Sequence, residues 1–303
     1  MVEDGTRRRA TTLAELYEKM GPLVSADGYE AGLAFTPRPT DVIIAPFSKC
    51  GTTWLQQMVH SLRTGGDLDF DDISRVVPWI ETAADLGIDL DAEQRAAPRA
   101  FKSHLAWDVV PKGARYVVAV RDPLDALVSG FRFMDGWFVE PGTLDVETFG
   151  RDRFVEARDY YTHVSSWWPR RHRDDTLLLA YEQMVADHEG TVRRVAEFLG
   201  LGGDEDRIAV ACEQSSLGSM RRHADRYDDR MMRLRSEQVC GLPPGSDSAK
   251  VSSGAHDVVL SDALVADLDA TWRDTMGEQF GLEDYPALLA ELAARCMDGP
   301  GWN

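Results

Sequence analysis

Residues 41–54 read Asp-Val-Ile-Ile-Ala-Pro-Phe-Ser-Lys-Cys-Gly-Thr-Thr-Trp, and they constrain the fold more than any other stretch. The β-branched apolar run at 41–45 ends at Pro46, the pattern of a buried strand. A Gly/Thr turn follows, and a helix over 54–63 starts with Thr52 or Thr53 near its cap. A strand–turn–helix of this kind aims backbone N–H groups and the positive helix end at one point. Lys49 adds a full charge there, the Thr52 and Thr53 hydroxyls add donors, and Gly51 lets the backbone approach closely. The turn is an anion cradle suited to a phosphate. It is not a Walker A loop, because the lysine precedes the glycine. The plainer alternative is a capped glycine turn with Lys49 in solvent.

The alternation recurs along the chain. Apolar runs at 116–120 and 176–180 read as strands, the segment 100–103 is a weaker strand candidate, and helices are expected at 12–20, from 123, and at 154–168, 184–199, 204–213 and 261–276. Strands alternating with helices predict an α/β fold: one domain over 1–303 with a central parallel sheet covered by helices on both faces. Residues 1–40 form an N-terminal extension. Residues 65–98 are acidic and irregular. Residues 221–254 carry Gly and Pro and little periodicity, which predicts a long mobile loop able to act as a lid.

The formal charge of −18 opposes nucleic acid and anionic membranes as partners. No apolar stretch reaches the length of a membrane span, and the N-terminus lacks the apolar core of a secretory signal. The four cysteines, Cys50, Cys212, Cys240 and Cys296, lie far apart with no CxxC pair, so the expected setting is a reducing cytoplasm without a zinc site. Only five lysines occur, Lys19, Lys49, Lys102, Lys112 and Lys250. Positive charge for an anionic ligand must therefore be concentrated locally.

Two further strand ends carry chemistry. The run at 116–120 is followed by Arg121, with Ser129 eight residues on, about two helical turns later. An arginine where a P-loop kinase often places a magnesium-binding acid suits a second phosphate; the alternative is an ion pair with Asp122 or Asp125. In Phe101–Leu105, Lys102 and His104 alternate on an extended segment and so share a side, a base beside an electrophile.

These pieces stand in the order and spacing of the cytosolic sulfotransferase family, which the chain resembles, and we read it as a bacterial member. Lys-Cys-Gly-Thr-Thr-Trp at 49–54 resembles that family's K-S-G-T-T-W turn. The segment from Arg121 to Ser129 resembles its R-x₇-S element, and Lys-Ser-His-Leu at 102–105 its K-T-H-L segment. Similar matches lie at 77–79, 140–149, 163–168, 178–184 and 214–220, so the resemblance spans roughly 40–276. It implies 3′-phosphoadenosine 5′-phosphosulfate as donor, 3′,5′-bisphosphoadenosine as product, and no metal. By matching position, Lys49, Cys50, Gly51, Thr52 and Thr53 would hold the phosphosulfate, and Trp54 would lie against the adenine. Arg121 and Ser129 would bind the 3′-phosphate, Tyr181 would contact the base with Ser215 near it, and Lys250 would fall in the late R-K-G element. His104 would be the general base, with Lys49 and Lys102 neutralising charge on the leaving phosphate and the sulfuryl group.

Departures from the pattern are informative. Cys50 replaces a serine, and the late element reads Ala-Lys-Val-Ser-Ser-Gly at 249–254, without its arginine. An arginine of 221–235 is a candidate substitute. The family's dimer motif is absent, so the sequence sets no oligomeric state. The acceptor pocket is expected to be apolar, built from Phe47, Trp79, Trp107, Phe133, Met134, Trp137 and Phe138, and suited to a phenol, a lipid or a polycyclic alcohol of secondary metabolism. The rival readings are a P-loop small-molecule kinase and a non-catalytic nucleotide-binding protein of the same fold.

Overall fold

The computed structural model describes residues 7–248 and 258–297. Four parallel strands form the sheet: β1 (Val42–Ile44), β2 (Ala100–Lys102), β3 (Arg115–Val120) and β4 (Thr176–Ala180), in the order β2-β1-β3-β4. In β1, Ile43 lies opposite Phe101 on one side and Tyr116 on the other. In β3, Val118 lies opposite Leu178.

Alternation along each strand feeds two separate cores, as a sheet buried on both faces requires. Val42, Ile44, Val117, Ala119, Leu177 and Leu179 face one layer, where Leu55, Val59 and Leu62 of the Thr52–Thr64 helix pack with Val192, Val195, Ile208 and Ala211. Ile43, Tyr116, Val118, Val120 and Leu178 face the other, against Tyr160, Val164, Trp167, Leu264, Leu268, Leu288 and Leu292. Each side chain sealed in this way contributes roughly 1.5–3 kcal/mol of transfer free energy. The expected α/β sheet is present, with helices on both faces. No described helix is long and apolar enough to cross a membrane.

Three expected elements differ, and one helix stands where none was expected. The helix expected at 154–168 is broken: Arg158 takes φ 56°, and the regular helix is Asp159–Trp167. The one expected at 184–199 is two helices, Tyr181–Ala186 and His188–Phe198, with Asp187 capping the second through Gly190 N–H. Inside the expected loop at 221–254 stands a helix, Arg230–Val239, which buries Met232 and Ser236. A helix at Tyr285–Met297, missed in the sequence, starts where the Asp284 carboxylate accepts the Ala287 N–H at 2.8 Å.

Candidate active site

The C-terminal ends of the four strands open into a cavity of about 1140 Å³. Small-molecule pockets run to about 300–1,000 Å³, so this one has room for more than one ligand. β1 delivers the Pro46–Thr53 turn to its wall, β2 delivers Lys102 and His104, β3 delivers Arg121, and β4 delivers Tyr181.

The turn folds as its residues require. Gly51 sits at φ 91° and ψ 14° immediately before the Thr52–Thr64 helix, a conformation that costs glycine little. A Cβ there would lie 3.1 Å from Tyr181 Cδ2. Lys49 also takes a positive φ, 67°, a form of backbone strain that concentrates at binding sites. Arg121 donates from Nη1 to the Lys49 carbonyl at 3.0 Å, which ties the end of β3 to the turn. Its guanidinium lies 4.4 Å from the centre of the Tyr181 ring. The alternative partner also appears, as Asp125 Oδ2 stands 3.8 Å from Arg121 Nη2.

Five buried polar atoms on residues that line the cavity have no hydrogen-bond partner among the described residues: Thr52 Oγ1, Arg121 Nε, Trp79 Nε1 and both ring nitrogens of His163. A buried donor without an acceptor costs about 1–3 kcal/mol; of these groups, Thr52 Oγ1 belongs to the glycine turn and Arg121 Nε to the end of β3.

At the far side of the turn the reacting groups converge. Lys49 Nζ lies 4.0 Å from the Phe133 ring centre, and Lys102 Nζ lies 3.9 Å from that of Trp79. His104 meets Trp79 edge-on at 5.3 Å. Its Nδ1 is 2.8 Å from the Pro46 carbonyl oxygen. A carbonyl only accepts, so the Nδ1–H donates, and Nε2 is left with its lone pair. The His104 backbone N–H donates to Glu81 Oε1 at 2.7 Å, and burial holds the Glu81 carboxyl above the usual range. Phe47, Met134, Trp137 and Phe138 complete an aromatic wall, joined by Leu16 and Met20 of the N-terminal helix.

At the opposite end, Trp54 donates from Nε1 to the Ser215 carbonyl at 2.8 Å and meets Tyr181 edge-on at 5.8 Å. His188, which no motif marks, lies 5.4 Å from Trp54 and is held by the Ser215 hydroxyl at 2.8 Å. Burial lowers its pKa. Behind the site, Glu182 accepts the Asp122 N–H at 3.0 Å and the Tyr285 hydroxyl at 2.5 Å, so the unforeseen last helix braces the segments that carry Arg121 and Tyr181.

Most expected site residues therefore meet at one cavity: Phe47, Lys49, Gly51, Thr52, Thr53, Trp54, Trp79, Lys102, His104, Arg121, Ser129, Phe133, Trp137, Tyr181 and Ser215. Two do not. Trp107 packs edge-on against Tyr116 and Trp167, each 5.3 Å away, with Arg170 over its face at 4.1 Å, so it belongs to the core and not to the acceptor wall. Cys50 points beneath the turn; burial pushes its thiol up to about 12, and its N–H is spent on the Phe47 carbonyl at 3.2 Å. Lys250 lies outside the described residues. Of the arginines considered as substitutes, Arg235 pairs with Asp85 at 2.8 Å, Arg222 with Glu213 at 3.1 Å, and Arg233 with Asp228 at 3.6 Å.

Comparison with known proteins agrees with this geometry. A family profile described as a sulfotransferase domain matches residues 39–239. Sulfotransferase 2A6 of Rattus norvegicus is 31% identical over 199 residues, 62% of this chain and 69% of that protein. Sulfotransferase 1C2 of Homo sapiens is 26% identical over 212 residues, 65% of this chain and 71% of that one. Among solved structures, retinol dehydratase in complex with retinol and PAP superposes with a TM-score of 0.63 at 19% identity, covering 89% of this chain and 96% of the other. Mouse sulfotransferase SULT7A1 complexed with PAP gives 0.63 at 18% identity, over 90% and 95%. With most of its length matched by the family profile, and with the strand-end lysines, histidine and arginine gathered at one cavity, the chain belongs to the sulfotransferase family and is an enzyme of that class.

Proposed function

We propose that the protein moves a sulfuryl group from 3′-phosphoadenosine 5′-phosphosulfate to the hydroxyl of a small, largely apolar acceptor, with His104 as general base. Two of the orphaned donors, Thr52 Oγ1 in the turn and Arg121 Nε at the end of β3, carry this reading, because a doubly phosphorylated nucleotide would offer an acceptor to each. Lys49, Gly51, Thr52 and Thr53 would hold the 5′-phosphosulfate, and Arg121 with Ser129 the 3′-phosphate. Trp54, Tyr181 and His188 would enclose the adenine.

The donor supplies an activated sulfuryl group on a phosphate leaving group. His104 Nε2 would take the acceptor's hydroxyl proton while Nδ1–H stays on the Pro46 carbonyl, so the ring keeps one tautomer and one orientation through the transfer. General-base catalysis of this kind supplies about 10²–10⁴-fold, roughly 3–5 kcal/mol of barrier. Lys49 and Lys102 would meet the charge that grows on the leaving phosphate and the sulfuryl oxygens, worth more in this dry aromatic setting than in water.

The aromatic wall suits a phenol, a lipid or a polycyclic alcohol as acceptor. The free thiols Cys50, Cys212 and Cys240 suit a reducing, cytoplasmic setting. The test is thermal stability. With 3′,5′-bisphosphoadenosine at 100 times its Kd, the expected stabilisation is about 2.7 kcal/mol, and ATP with magnesium gives far less. A larger shift with ATP and magnesium would turn the reading toward a kinase.

A further inference from the structure

Asp229 stands at the start of the Arg230–Val239 helix, at φ 52°, only 4% exposed and on the cavity wall. An aspartate in this place ordinarily caps the helix with its carboxylate. Asp229 does not: its side chain makes no cap bond, and the Met231 N–H is taken at 2.9 Å by Asp72, from a different segment. The left-handed backbone turns the Asp229 carboxylate inward, where Oδ1 lies 3.9 Å from Lys102 Nζ. Its loop is anchored on either side. The Tyr227 hydroxyl donates to Gln57 at 2.9 Å, and the Ser248 hydroxyl donates to the Asp228 carbonyl at 2.5 Å. The carboxylate is thus placed by structure beside the reacting groups, with Trp79 stacked on the same lysine.

We infer that Asp229 selects the acceptor by charge: it offsets Lys102 at the acceptor end, so that end favours a phenol or alcohol that also bears an ammonium group over one that bears a carboxylate. This rests on the proposed function for which end of the cavity takes the acceptor. Arg121 serves the donor's 3′-phosphate at the other end, and Lys49, whose Nζ lies over Phe133 beside the acceptor wall, is matched by the donor's 5′-phosphate group. With the nucleotide bound, the charged pair left at the acceptor end is Lys102 and Asp229, among aromatic faces that also receive cations favourably. Like charges brought together in a desolvated site repel strongly, so a carboxylate-bearing acceptor is penalised while Asp229 is present. Replacing Asp229 by asparagine keeps its shape and leaves Lys102 without this counter-charge, which should reverse the preference.

The experiment titrates the intrinsic tryptophan fluorescence of the full chain with tyramine, p-cresol and 4-hydroxyphenylacetate, three ligands that share a phenol and differ in charge. It is run without nucleotide and again with 3′,5′-bisphosphoadenosine. With 3′,5′-bisphosphoadenosine bound, wild type should bind tyramine more tightly than 4-hydroxyphenylacetate. Asp229→Asn should shift that ratio toward the anion by at least ~10-fold while the p-cresol affinity moves less than about 2-fold. An unchanged ratio, or equal weakening of all three ligands, would overturn the inference. So would a wild-type protein that binds the anion more tightly than the amine, whatever the variant does or whether it folds. Binding is read without turnover, so failure of the nucleotide to bind would count against the proposed function while the charge preference is still measured.

Discussion

Gly51→Ala places the sharpest demand on the phosphate-binding turn. At φ 91° an L residue carries backbone strain of roughly 1–2 kcal/mol. The new Cβ also lies 3.1 Å from Tyr181 Cδ2 and 3.6 Å from Cε2, so the ring must yield by a few tenths of an ångström. The Tyr181 ring supports the Arg121 guanidinium at 4.4 Å, and moving one disturbs the other. The expected cost is about 2 kcal/mol of stability, a fall in Tm of roughly 3–6 °C in a domain of this size. Affinity for 3′,5′-bisphosphoadenosine should fall at least ~10-fold, equivalent to about 1.4 kcal/mol. Differential scanning calorimetry and isothermal titration read the two quantities. Gly21→Ala is the control, since Gly21 has φ −49° and nothing within 4 Å of its would-be Cβ. A Gly51→Ala protein with unchanged nucleotide affinity would refute the assigned role of the turn, and an equal loss in Gly21→Ala would show the effect to be generic.

Other changes test separate links. Thr52→Val removes the orphaned hydroxyl, so the nucleotide-free protein should be as stable as wild type or more stable, while nucleotide affinity falls several-fold; paired melts and titrations that move together would contradict this. His104→Ala should lower kcat at least ~10²-fold with bisphosphoadenosine affinity little changed, and a near-normal kcat on an accepted substrate would remove the base from His104. Burial lowers the pKa of His60 to about 4 and of His163 to about 3, from 6.5. Both folded values are depressed, so the unfolded chain binds more protons as pH falls below ~6.5. Each histidine should then cost roughly 2 kcal/mol by pH 5. Denaturant titrations at pH 7 and pH 5 would show this, and His163→Asn should flatten the slope by about one proton.

The site was legible where its chemistry is local in sequence. The β1 run, Lys49, Gly51 and the two threonines stand within fourteen residues, and the structure assembles them as a strand, a turn and the start of a helix on the cavity wall. Arg121 was legible because it follows the apolar run at 116–120, and Lys102 and His104 because they alternate along a short segment that reads as a strand. Glu81, His188 and Asp229 were not, because each acts by reaching a partner far along the chain: Glu81 through the His104 N–H, His188 through Trp54, Asp229 through Lys102. The Arg230–Val239 helix escaped notice because it buries only Met232 and Ser236, too few apolar positions to mark a period. The last helix was different: Leu288 and Leu292 are spaced one turn apart behind Pro286, a signal the sequence held. Trp107 misled because an aromatic residue close to His104 in sequence reads equally as pocket wall or as core.

The central claim is the reaction itself. Purified protein, 3′-phosphoadenosine 5′-phosphosulfate and a panel of phenols and polycyclic alcohols, followed by mass spectrometry, should yield bisphosphoadenosine and a sulfate ester in equal amounts, with no product when ATP and magnesium replace the donor. Release of bisphosphoadenosine without any esterified acceptor, or a phosphorylated product from ATP, would contradict the account.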